Sequence, residues 1–161
     1  MKPYFPDAYI YIQKEIVETF KDFHSLLPFA KKVLTYFDGQ NDVKKYKRAV
    51  QNINKTFPNI NIYLEKSICN YLFQIQFPFD TDNFYDSYRS LCGCYFFLNF
   101  IVIGYMHQRR KQDELVNVIT NAFRIILHTN FTHNINVIFS KHYYHNPQDL
   151  ERILTNIHKN S

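Results

Sequence analysis

The stretch FYDSYRSLCGCYFFLNFIVIGYMHQ, residues 84–108, decides the fold. Between Arg89 and Arg109 it runs for 19 residues without a charged side chain, including Tyr95-Phe-Phe-Leu98 and Phe100-Ile-Val-Ile103. Asp80, Thr81, Asp82 and Asn83 stand just before it and supply turn and capping chemistry, so the segment reads as a helix from Phe84 to about Gln108. A helix apolar on all sides is either the centre of a helical core or a membrane span, and this length just reaches a bilayer's thickness. Asn99, Gly93, Gly104 and His107 interrupt the run and its flanks are amphipathic, which favours a core helix over a span.

Outward from this helix the apolar residues keep a helical period. Downstream, Gln112 and Asp113 open a helix with Leu115, Val118, Ile119, Ala122, Phe123 and Ile126 inward, ending near Asn130. Thr132 is placed to cap a short helix holding Ile135, Ile138 and Phe139. Asn146-Pro147 then reads as a cap followed by proline at the first helical position, with Leu150, Ile153, Leu154 and Ile157 inward.

Upstream, Ile12, Ile16, Phe20, Phe23 and Leu27 line one face of a helix from Asp7 to Leu27, limited by Pro28. Phe29, Val33 and Phe37 mark a short helix closed by a left-handed turn at Gly39. Asp42 reads as the cap of a helix with Val43, Tyr46, Val50, Ile53 and Phe57 inward and Lys44, Lys45, Lys47, Arg48 and Lys55 outside. Pro58 opens a further segment with Leu64, Ile68, Tyr71, Leu72 and Ile75 in register, up to Phe77-Pro78-Phe79. The expectation is an all-α, single compact domain of seven or eight helices around one long apolar helix: N-terminal helices over 1–57, a core over 58–139 and a C-terminal helix over 146–159.

Composition agrees. With three Gly and six Pro in 161 residues the chain is short of the turns a sandwich or barrel needs. Sixteen Phe and 13 Tyr without a Trp imply a core built of rings packed with Ile and Leu. The net charge of +5 is spread along the chain, and no nucleic-acid footprint is expected. Cys69, Cys92 and Cys94 are odd in number and lie in apolar surroundings, which suggests core thiols and a cytoplasmic protein, and Met1–Asp7 lacks the apolar core of an export signal.

Few residues offer chemistry. Cys92 and Cys94 project about 200° apart on a helix and cannot grasp one metal. His128, His133, His142 and His145 gather late in the chain, with His142 and His145 at a spacing that can share a face, but no third ligand accompanies them, so no metal site is expected. Arg124 and His128, four apart, share a helical face where they can hold an anion or move a proton. The plain alternative is a histidine at a helix C-terminus and an arginine paired to a carboxylate. A glycine-rich phosphate loop, GxSxG and HExxH are all missing.

Taken in order, Asn70-Tyr-Leu-Phe73, Phe77-Pro-Phe79, Phe84-Tyr-Asp-Ser-Tyr88, Cys94–Gly104, Glu114-Leu-Val-Asn-Val-Ile119 and Phe123-Arg-Ile-Ile-Leu-His128 resemble the C-terminal region of flagellin lysine-N-methylases. The resemblance spans Asn70 to Phe139. It implies methyl transfer from S-adenosylmethionine to lysine amines of flagellin, with Arg124 and His128 in orienting or proton-handling roles and Tyr85, Asp86 and Tyr88 near substrate or cofactor. The family's N-terminal CxxCxxxCC-type cluster, held to bind iron and sulfur, has no counterpart here. The expectation is therefore a chain that is inactive by itself, completed by a separate cysteine-cluster part. The rival reading is a non-catalytic helical domain that docks an acidic partner on the face around Lys44–Arg48.

Overall fold

The computed structural model describes residues 8–79, 83–142, 144 and 146–159, with side chains to residue 155. Among the described residues there are eight helices and no strand: α1 (Ala8–Phe20), α2 (Leu27–Tyr36), α3 (Asp42–Thr56), α4 (Ile60–Gln74), α5 (Phe84–Met106), α6 (Gln112–His128), α7 (Phe131–Lys141) and α8 (Pro147–Lys159). Helix α5 is the axis on which each of the others packs. It is the one described helix long and apolar enough to cross a bilayer, and 89% of its most apolar stretch is buried inside the protein. Phe96, Phe97, Leu98, Phe100, Ile101 and Val102 have no exposed surface, so its all-round apolarity is used up by helix packing.

Rings join the layers. Phe20 of α1 stacks on Phe131 of α7 at 5.1 Å and meets Phe97 edge-on at 5.9 Å, while Phe37 after α2 stacks on Phe100 at 4.6 Å. Such offset and edge-to-face pairs add roughly 0.5–1.5 kcal/mol each beyond the area they bury. Short connections keep sequence neighbours adjacent, so α5 and α6, joined through residues 107–111, form an antiparallel hairpin.

Several local expectations need correction. Helix α1 ends at Phe20, not Leu27, because the chain turns through Phe23 N–H to Phe20 O and Leu26 N–H to Phe23 O. That turn buries Leu26 completely and leaves Phe23 and Leu27 about half exposed, each 46%. Pro28 opens α2 at its first turn, where its missing N–H costs nothing. Asp42 does not cap α3; its carboxylate accepts the Gly39 N–H at 3.0 Å, closing the turn in which Gly39 takes φ 92°. Thr132 lies inside α7, and its hydroxyl pairs with Ser90 at 2.9 Å.

Helix α5 ends at Met106, two residues early, where His107 stacks on Tyr36 at 4.0 Å and its Nδ1–H donates to Gly104 O. Asn83 is the α5 cap, its side chain accepting from Tyr85 N–H at 2.8 Å, whereas Asp80, Thr81 and Asp82 lie outside the described residues. Asn146 caps α8 as its sequence indicates, accepting from Asp149 N–H at 3.0 Å; the Ile157 side chain is outside the described set.

One polar clip closes the molecule. Glu15 of α1 accepts from Lys141 Nζ at 2.7 Å and from His142 Nε2 at the end of α7. Burial works against its charge, but the hydrogen bonds from Lys141 and His142 outweigh it and hold the carboxyl below its ordinary value of 4.5. A depressed folded pKa means stability that is present above the ordinary value and lost as pH falls through the folded one. Glu15→Gln is expected to cost no more than about 1 kcal/mol at pH 7, since the pair is partly solvent-screened. It should also flatten the acid limb of stability below pH 4.5, read by urea unfolding over a pH series.

Candidate functional site

Tyr85, Asp86 and Tyr88 stand in the first turns of α5 and Arg124 and His128 in the last turns of α6, two helices that pack together, and among the described residues no hydrogen bond or ion pair joins the two sets. Arg124 and His128 are both exposed. The Arg124 guanidinium donates to Asn121 Oδ1 at 3.2 Å, and Asn121 in turn donates to Asn117. The arginine thus joins an amide ladder along α6, not the carboxylate pair of the plain alternative.

The α5 start is held by a residue whose part the sequence does not reveal. Arg89 is 6% exposed, and its Nη2 donates at 2.8 Å to both Asn136 O and Ser140 Oγ, while Asp86 sits 3.5 Å from its Nη1. Tyr85 lies under that guanidinium and donates to Tyr144 O at 3.2 Å. Tyr88 packs against Cys92, and burial pushes its hydroxyl up to about 12. Tyr85 and Asp86 are therefore engaged in fastening α5 to α7 and the chain that follows it.

A second feature lies further along the same face of α5. Tyr88, Cys92, Tyr95, Asn99 and Ile103 follow at helical steps, and the last three line a groove of about 490 Å³ between α3, α4 and α5. Its walls are the α3 residues Val50 and Ile53 and the α4 stripe Ile60, Leu64 and Ile68. Asn54, Asn61, Glu65 and Cys69 also line it. This size falls within the range of about 300–1,000 Å³ typical of small-ligand pockets.

Asn99 is 5% exposed. Its Nδ2 donates to Tyr46 Oη at 2.6 Å and Gln13 Oε1 at 3.3 Å, and Gln13 Nε2 donates to Tyr9 O at 3.0 Å. Burial raises the Tyr46 hydroxyl, which stays neutral. In the sequence Asn99 stands only as an interruption of the apolar run; the signal it carries is that an amide buried there needs partners, since burying it without them is costly.

The cysteines divide in a way the sequence does not show. Cys94 is wholly buried and Cys92 nearly so, its thiol pushed up to about 11 by burial, but Cys69 is exposed at the groove, contrary to the core placement expected of it. Among the described residues no group of three His, Cys, Asp or Glu is placed to hold a metal. His133 is exposed, His142 is committed to Glu15, and His145 lies outside the described residues. These cysteines do not fit an iron–sulfur cluster, which needs several thiolates converging on one point.

The fold and groove define an all-helical domain with a ligand-sized interhelical groove and, among the described residues, no group of side chains placed to hold a metal. Its sequence places it more narrowly. The chain belongs to the FliB lysine N-methylase C-terminal domain family, whose pattern matches residues 7–161. No curated protein and no solved structure gives a significant match.

Proposed function

We propose that this chain serves S-adenosylmethionine-dependent N-methylation of flagellin lysines as the helical domain of the methylating machinery, and that it does not turn over alone. The family match across residues 7–161 carries the reading. S-adenosylmethionine would supply the methyl group, but among the described residues no Lys or Arg lines the groove to meet the cofactor's carboxylate, so no cofactor step is assigned to it. In this reading Arg124 meets an anionic group at the hairpin end, His128 handles a proton there, and Tyr85, Asp86 and Tyr88 shape the adjoining surface. A separate cysteine-cluster part completes the enzyme, in the cytoplasm, the compartment that suits three free thiols.

The test is made in the producing cell. Deleting the gene is expected to remove N-methyl-lysine from flagellin, measured by mass spectrometry, and restoring it should bring the modification back. Restoration with His128→Ala is expected to slow methylation by about 100-fold, the usual weight of a positioned acid–base group. Unchanged methylation after deletion overturns the reading, as does turnover by the purified chain alone for its second half.

A second reading, a non-catalytic domain docking an acidic partner, has one observation in its favour. Lys44 and Lys47 line an open hollow of about 690 Å³ between α1 and α3, together with Lys14, which lies 3.5 Å from Asp42. Calorimetry separates the two. Binding of S-adenosylmethionine that Arg124→Ala abolishes supports the first, and binding of an acidic peptide alone supports the second.

A further inference from the structure

We infer that the α3–α4–α5 groove is a binding slot for the side chain of a primary alkylamine, an acceptor lysine, with its alkyl stem against Ile60, Leu64 and Ile68 and its terminal N–H donating to Asn99 Oδ1. The inference rests on the lysine-methylase reading and adds to it a place for the acceptor. Asn99 spends its Nδ2 on Tyr46 and Gln13, and its Oδ1 accepts no hydrogen bond although the residue is 5% exposed and lines the groove. That carbonyl is not among the buried side-chain atoms sealed off without a partner, so it is an acceptor that a ligand in the groove can reach, and a hydrogen bond made there is worth about 0.5–1.5 kcal/mol. Lysine supplies what is missing, a flexible apolar stem that ends in donors.

Charge selects in the same direction. Among the described residues Glu65 is the one charged side chain lining the groove, so an anionic ligand is disfavoured. At Asn99 the ammonium would face a neutral acceptor in an apolar surround, which penalises charge and lowers an amine's pKa. The amine therefore binds neutral and releases its proton to bulk water, the form in which its nitrogen lone pair is free to act as a nucleophile. The titratable groups near it are Glu65 and Cys69 from α4, Tyr95 from α5 and, behind the Asn99 amide, Tyr46 from α3.

The probe is Nα-acetyl-lysine methylamide, added stepwise to the full ¹⁵N-labelled chain carrying Cys69→Ser, which takes the thiol out of the groove wall. Saturable shifts of the Asn99 side-chain amide are expected, with affinity rising between pH 7 and pH 9 as the neutral amine becomes more abundant. Acetyl-norleucine methylamide, which has the stem without the amine, should bind at least about tenfold more weakly, the worth of one buried hydrogen bond. Ile68→Phe fills the slot without touching the Asn99 bonds and should weaken lysine binding by a similar factor at unchanged helical content.

Equal binding of the norleucine compound, affinity that falls with pH, or shifts that bypass Asn99 would each overturn the inference. Failure here with methylation still lost on gene deletion removes the slot and leaves the family reading standing. Binding here with methylation unaffected by deletion keeps an amine slot and removes the enzyme assignment.

Discussion

Phe100→Ala is expected to destabilise the protein by about 3–5 kcal/mol, the usual cost of emptying a buried phenylalanine site. For a chain of this size that is a fall in melting temperature on the order of 10 °C. Phe100 has no exposed surface, stacks on Phe37 at 4.6 Å and lies nearly parallel to Tyr46 at 6.3 Å. One ring thereby joins α5 to the end of α2 and to α3, and its removal leaves a cavity that rigid helices on three sides cannot collapse into. Phe73→Ala is the control, since Phe73 is 84% exposed on α4 and should change stability by no more than about 0.5 kcal/mol. Equal effects from the two, in calorimetric or urea unfolding, would mean that α2 and α3 do not pack on α5 as described.

Gly93→Ala tests a close approach of α5 and α7. A methyl group there would come within 2.4 Å of Ile135 Cγ2 and 2.8 Å of its Cγ1 and Cδ1. Two of those carbons are bonded to Cβ of a branched side chain that keeps essentially one χ1 in a helix, so they cannot swing aside. Alanine in place of glycine favours a helix by about 1 kcal/mol, yet overpacking of this kind costs roughly 1–3 kcal/mol, and net destabilisation is expected. On an Ile135→Ala background the clash vanishes while the propensity gain remains, so the same substitution should become neutral or stabilising. A sign that does not change, measured by a double-mutant cycle in urea, would separate the two positions.

Much of the fold is legible because helical spacing survives in one dimension. The steps Ile60, Leu64, Ile68 and Tyr95, Asn99, Ile103 mark two faces whatever packs on them. Where the chain turns is less legible. Phe23 and Leu27 continue the α1 period, and only the turn at residues 21–26 exposes them and sends Leu26 inward. Local capping signals are ambiguous for the same reason: Asp42 and Thr132 have the chemistry of caps, but a closer donor at Gly39 and a hydroxyl at Ser90 claim them.

The candidate site divides in the same manner. Arg124 and His128 are visible as a spaced polar pair, and the structure sets them exposed on α6. Arg89 reads only as the flank of an apolar run, yet it is the cation that ties α5 to α7. Cys69 reads as a core thiol because Ile68, Tyr71 and Leu72 surround it in sequence, but α4 lies at the edge of the bundle and turns it outward.

By itself the sequence determined the helical class, the central place of residues 84–106 and the family, because apolar periodicity, capping residues and motif order are properties of a line of residues. Only the tertiary structure decided that α3, α4 and α5 enclose a groove with an open acceptor at Asn99, since Val50, Leu64 and Asn99 become neighbours solely through packing. A hydrogen-bond acceptor acquires chemical meaning from what surrounds it, and burial, which sets the cost of leaving it unpaired, is decided by packing in three dimensions.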